Sequence, residues 1–136
     1  MSEGNQPVES VPAVTPIDLA THFCNTTDSR ATQTAGIQMR SYGFNVPTAL
    51  NTIVTDILRT DKLQPTYRLR VAQTVINNEV KIGKLSQDEA FRTMSSAASH
   101  LSDMESDELQ KANFSQLAQG FSELATQEAQ KNLHKK

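Results

Sequence analysis

The sequence predicts an all-α fold, a bundle of five or six helices with a flexible N-terminal arm, and three observations support this prediction. Apolar residues recur at helical spacing through the second half of the chain, helix start and stop signals separate these stretches, and no segment competes with the two-residue alternation of a strand. A chain of 136 residues can bury enough surface for one core without metal or disulfide. We therefore expect a disordered or extended arm over residues 1–14, a helical bundle over 15–131 and a basic tail over 132–136.

The arm and the first helix are predicted from adjoining stretches of sequence. Residues 1–16 contain three prolines and no apolar periodicity, which is typical of a segment without a fixed fold. Thr15 can then cap a helix, Pro16 suits its first position and Asp18 favours its positive end. A short helix should follow and end at about Cys24.

The second and third helices carry apolar residues on one face. Asp28 can cap a second helix that ends before Gly43, although its threonines and Gly36 lower the helix propensity. Its apolar face would consist of Ala31, Ala35 and Met39. A third helix from about Pro47 to Thr60 has the clearest stripe, formed by Leu50, Ile53, Val54, Ile57 and Leu58.

The remaining helices are separated by strong end signals. Pro65 opens a fourth helix that should run to Ile82, and Gly83 can adopt the left-handed conformation that ends it. Ser86 and Glu89 then form a capping box for the fifth helix. That helix should bury Phe91, Met94, Ala98 and Leu101. A last helix, from about Asp107 to Lys131, should bury Phe114, Leu117, Ala118, Phe121, Leu124 and Ala125.

The sequence lacks the features of a membrane or secreted protein, and its charges are unevenly distributed. No stretch approaches the roughly 18 apolar residues of a membrane span, and no secretory signal opens the chain, so we expect a cytoplasmic protein or one packaged in a virion. The net charge is −2, but residues 29–83 carry seven bases against three acids and residues 84–128 carry three bases against eight acids. Such alternating blocks can steer association with a protein partner or a second copy.

No catalytic, metal or cofactor site is predicted. His22 and Cys24 are turned roughly 200° apart on a helix, so they cannot pair as base and nucleophile, and Cys24 is expected to be a half-buried structural residue. His100 should lie on the solvated face of its helix. The acidic run from Asp103 to Asp107 imitates a calcium loop but has Glu108 where glycine is required, so we expect these acids to stabilise a helix start.

A basic segment raises the alternative of nucleic-acid binding. Residues 59–81 have the outline of a helix-turn-helix and contain Lys62, Tyr67, Arg68 and Arg70 as candidate DNA contacts. However, Arg68 and Arg70 point to nearly opposite sides of a helix, and the chain is not basic overall. This alternative is therefore limited to weak, sequence-indifferent DNA binding.

The fourth helix is apolar on two sides. Val71, Val75 and Ile82 form a second face beside the one formed by Leu69, Ala72, Ile76 and Val80. A second apolar face must meet either another helix of the bundle or another subunit, and we favour the subunit slightly. The leading hypothesis is a non-catalytic structural or protein-interaction subunit of a larger assembly. Its small size, polar composition and arm-plus-bundle layout are reminiscent of accessory virion proteins of bacteriophages.

Overall fold

A computed structural model describes residues 14–26, 28–40 and 49–134 of the chain, and these residues form an all-α bundle. Within this part of the chain there are six helices, which confirms the predicted fold class. In chain order they are α1 Pro16–Asn25, α2 Ser29–Arg40, α3 Leu50–Leu58, α4 Pro65–Lys81, α5 Gln87–Met104 and α6 Glu108–His134. Almost all of the predicted arm, and the last two residues of the predicted basic tail, lie outside the described residues.

Helix α4 lies in the middle of the bundle. It packs against α2, α3 and α5, and α3 also contacts α5, while α6 packs against α5 and α1. Two serines of α5 connect it to α6: Ser95 Oγ donates to the Ala118 carbonyl at 2.7 Å, and Ser102 Oγ donates to the Lys111 carbonyl at 3.0 Å. Because the residue numbers of the two pairs run in opposite directions, α5 and α6 are antiparallel neighbours.

The helix ends follow the sequence signals closely. Thr15 and Asp18 form a capping box at the start of α1, and Ser86 and Glu89 form one at the start of α5. Gly83 has a φ of +82°, the left-handed conformation that favours glycine, and it directly follows the C-cap of α4. The Lys84 amide donates to the Glu79 carbonyl at 2.9 Å, which completes the hydrogen-bonded stop.

Two helices differ from their predicted bounds by about one turn. Helix α3 begins at Leu50, whereas the sequence predicted a start near Pro47, a residue outside the described part of the chain. Helix α6 continues to His134, three residues beyond the predicted end at Lys131. No cap-type stop signal precedes His134, and the Gln and Ala residues of this stretch favour the helix.

Close packing of α1 on α6 depends on Gly120. A Cβ placed at this position would collide with the Pro16 carbonyl oxygen and would lie 2.8 Å from the Ala20 Cβ. Beside this contact the Phe23 and Phe121 rings meet edge to face, with their centroids 6.0 Å apart. The missing side chain of Gly120 therefore sets how near the first helix can approach the last.

Candidate functional site

The candidate DNA contacts at the start of α4 mostly hold neighbouring helices in place. Arg68 donates from Nε to the Leu63 carbonyl at 2.8 Å and from Nη1 to the Leu58 carbonyl at 3.2 Å. Leu58 is the last residue of α3, and its carbonyl has no partner further along that helix. Arg68 thus stabilises the negative end of α3 and the turn that follows it.

Arg70 does the same for a different helix. Its Nη1 donates to the Phe23 carbonyl at 2.8 Å and to the Thr26 carbonyl at 2.9 Å, at the C-terminal end of α1. Its guanidinium also lies over the Phe23 ring, 3.8 Å from the centroid, which is a cation–π contact. Burial lowers the pKa of Arg70, and the negative charge of Asp28 opposes this effect.

The other two candidate DNA contacts lie nearby. The Tyr67 hydroxyl is 3.1 Å from Thr34 Oγ1, a hydrogen bond that joins α4 to α2. Lys62 is exposed in the turn between α3 and α4. Of the four residues, only Lys62 presents a fully exposed charge, while Arg68 and Arg70 point to different helices, as their spacing predicted.

A groove follows the second half of α4, and we call it the α4 groove. It consists of two adjoining cavities of about 450 and 610 Å³. Both cavities are lined by Cys24, Gln73, Asn77 and Lys81. The first cavity is also lined by Thr32, Thr74 and Asn78, and the second is also lined by Val80, Phe91, Met94, Gln87 and Glu128. The groove therefore offers hydrogen-bonding groups beside an apolar surface.

Three α4 residues line both cavities of the groove at regular spacing. Gln73, Asn77 and Lys81 are four residues apart, and we call this row the α4 ladder. Gln73 is only 7% exposed, yet no other described residue hydrogen-bonds its carboxamide. Its polar atoms are not sealed from solvent, since the only fully covered and unpaired side-chain nitrogen or oxygen among the described residues is His100 Nε2. The Gln73 amide therefore opens into the groove.

Cys24 lies where the two cavities meet. The side chain is half-buried, as the sequence predicted. Burial raises the pKa of the Cys24 thiol, and the positive charge of Arg70 opposes the rise. Because the thiolate is the reactive form, a raised pKa makes this cysteine a poor nucleophile at neutral pH.

The three residues predicted to form a partner-contact face are separated by the fold. Val71 is 1% exposed and Val75 is 3% exposed, so both lie in the core of the chain itself. Ile82, the C-cap of α4, is 54% exposed. The two valines therefore meet other helices of the same chain, which is the first of the two alternatives given for this face. Of the three residues, only Ile82 has exposed surface that another molecule could contact.

Outside the groove, the described titratable residues form no metal-binding cluster. His22 is exposed, and no group of three or more His, Cys, Asp or Glu side chains among the described residues could hold a metal ion. Asp107 accepts a hydrogen bond from the Gln110 amide at 2.9 Å and so stabilises the start of α6. The expected solvated position of His100 is wrong in one respect: the residue is half-buried and its Nε2 is covered, because it lies at the border of the packed face of α5.

No local pattern in the sequence indicates that Gln73 lines a groove. The only local signal is a polar residue that follows two arginines, and its burial depends on helices that are distant in sequence.

Among the helices of the described residues, none combines the length and the apolar character that a membrane span requires. Comparison with protein-family models, with curated proteins and with solved structures found no match to this chain.

Proposed function

We propose that this chain is a non-catalytic protein-interaction subunit that binds an extended peptide segment of a partner protein in the α4 groove. The observation that carries the proposal is the groove itself, whose two cavities share three polar lining residues on a single helix. Binding sites of this size are mostly apolar with a few placed polar groups, and the α4 groove has both. Side-chain amides both donate and accept, which matches the alternating N–H and C=O groups of a peptide backbone.

Binding is favoured over catalysis by the chemistry of the lining residues. Among the described residues that line the groove there is no histidine, and Arg70 already donates to two backbone carbonyls. The raised pKa of Cys24 keeps its thiol protonated at neutral pH. A nucleophile needs a base within hydrogen-bonding distance, and in the described part of the chain no hydrogen bond joins Cys24 to either groove carboxylate, Asp28 or Glu128.

DNA binding by residues 59–81 receives less support. The guanidinium groups of Arg68 and Arg70 are held by carbonyls at the ends of two different helices, α3 and α1, so they do not present one shared surface to a DNA backbone. The larger assembly in which a peptide-binding subunit would act, with a phage virion as one setting, remains a prediction from composition and chain layout.

A peptide-display selection tests the proposed function. A random peptide library would be selected on the immobilised full chain and on Asn77→Trp, in which the indole of an exposed groove residue overlies both cavities. Asn113→Trp is the matched control, since Asn113 is an exposed asparagine on α6 that does not line the groove.

We expect peptide families that are enriched on the wild type and on Asn113→Trp and that are lost on Asn77→Trp. Equal enrichment on all three proteins would place binding elsewhere and contradict the proposal. A wild-type selection that enriches nothing above an empty surface would contradict it as well.

A further inference from the structure

We infer that the α4 ladder of Gln73, Asn77 and Lys81 recognises the backbone of the bound peptide, one contact at every second residue. This inference rests on the proposed function and names the groups that perform it. Its starting point is Gln73, a buried polar side chain whose carboxamide has no hydrogen-bond partner among the described residues. The amide opens into the groove and is not sealed from solvent, so a ligand in the groove can replace water as its hydrogen-bond partner.

The spacing of the ladder fits an extended chain. Residues four apart on an α-helix are separated by about 6 Å along its axis. In an extended strand, peptide groups that face the same side recur every two residues, at about 6.6 to 6.8 Å. A strand lying along α4 can therefore place successive peptide groups against Gln73 and then Asn77 with little mismatch.

The three positions of the ladder differ in the hydrogen bonds that they can form. The amides of Gln73 and Asn77 can each offer one donor and one acceptor to a peptide unit. The Lys81 ammonium can only donate, so it fits an oxygen acceptor of the peptide, and no described residue forms an ion pair with it. Val80, Phe91 and Met94 lie beside this end and can take an apolar side chain of the peptide.

A small diamide tests the ladder directly. N-acetyl-leucine-N′-methylamide carries two peptide groups and one apolar side chain, and the matching methyl ester lacks one N–H donor. Both would be titrated into the full chain while the side-chain NH₂ signals of Gln73 and Asn77 are followed by nitrogen–proton correlation NMR. The side-chain signals of Asn51 and Asn113, which are exposed and outside the groove, serve as internal controls.

We expect saturable shifts of the Gln73 and Asn77 signals with the diamide and roughly tenfold weaker binding of the ester, the size of effect expected for one lost hydrogen bond. Gln73→Leu should remain folded and should weaken the diamide-induced shift of Asn77 by a similar factor. Equal shifts with diamide and ester, or no shift at Gln73, would overturn the inference. Adenosine, which also presents a donor beside an acceptor, should shift neither signal, and a larger shift with adenosine would identify a nucleobase site instead.

The two proposals fail separately. If the display selection yields groove-dependent peptides that bind Gln73→Leu as tightly as the wild type, the proposed function stands and the ladder is wrong. If the diamide binds at Gln73 but no displayed peptide depends on Asn77, the ladder recognises amides and the proposed partner class is wrong.

Discussion

The two halves of helix α4 use their polar side chains in opposite ways. In the first half, Tyr67, Arg68 and Arg70 all hydrogen-bond groups outside α4 within the same chain. In the second half, Gln73 and Asn77 line an open groove and pair with no described residue. Charge is therefore a poor guide to which α4 side chains are available to a ligand, because the arginines hydrogen-bond carbonyls of the chain and the neutral amides do not.

The largest loss of stability is expected for a change in the apolar face that runs along both halves of α4. Val75→Asp would bury an unpaired carboxylate and should cost roughly 3–5 kcal/mol, enough to unfold much of the protein. Circular dichroism should show lost helicity, whereas the control Ile82→Asp should change little because Ile82 is 54% exposed. If Val75→Asp stays helical but light scattering shows a smaller mass than the wild type, Val75 lies in a contact between subunits.

The next largest loss of stability is expected at the contact between α1 and α6. Arg70 hydrogen-bonds the C-terminal end of α1, and Gly120 allows the N-terminal end to approach α6. Gly120→Ala should destabilise the fold by about 1–3 kcal/mol, because the new methyl group must push the Pro16 backbone away. Gly36→Ala is the matched control: its Cβ would make only an ordinary contact at 3.7 Å, and alanine should stabilise the helix by up to about 1 kcal/mol. Both are read from chemical denaturation, and equal effects of the two changes would refute this role of Gly120.

Arg70→Met tests the structural half of α4. It removes two charge-assisted hydrogen bonds and the cation–π contact with Phe23, so we expect a loss of about 2 kcal/mol. Hydrogen exchange should quicken most in α1, whose C-terminal carbonyls lose their donor. Unchanged exchange in α1 would mean that water replaces the guanidinium at no cost.

The smallest effect is a pH dependence at Cys24, which lies on α1 and lines both cavities of the groove. Its pKa is raised by burial, so the thiol contributes stability that is fully present below the unfolded pKa of about 8.5 and is lost as the pH rises toward the folded value. The free energy of unfolding should therefore fall faster above pH 8.5 in the wild type than in Cys24→Ala. Parallel curves for the two proteins would contradict this assignment.

Much of the fold could be predicted from sequence because its signals are local. The capping boxes at Thr15 and Ser86 and the left-handed Gly83 depend on residues within one turn of one another. The roles of Arg70 and Gly120 could not be predicted, since Arg70 contacts a carbonyl 47 positions away and Gly120 is defined by the approach of α1. The only signal for Gly120 was a glycine within an apolar helical stripe, and helices also tolerate such a glycine where no other helix comes close.

The groove could not be predicted from the sequence either, because it also depends on residues that are distant along the chain. Gln73 is polar and follows two arginines, so its pattern indicates an exposed residue, yet the packing of neighbouring helices leaves it 7% exposed. A buried amide without a partner is a tertiary property that no local pattern encodes. The pattern of Val71 and Val75 did indicate two buried faces, but it could not tell a helix of the same chain from a second subunit.

Two variants measured side by side test the division of α4 most directly. Arg68→Met and Gln73→Leu would each be assayed for stability by chemical denaturation and for affinity toward a peptide selected on the wild type. We expect Arg68→Met to lose about 1–2 kcal/mol of stability with its affinity retained, because its two hydrogen bonds hold α3 and the following turn. Gln73→Leu should keep its stability and lose roughly tenfold or more in affinity. The opposite result, a stable Arg68→Met that no longer binds and an unstable Gln73→Leu that binds normally, would contradict the division of α4 into a structural half and a binding half.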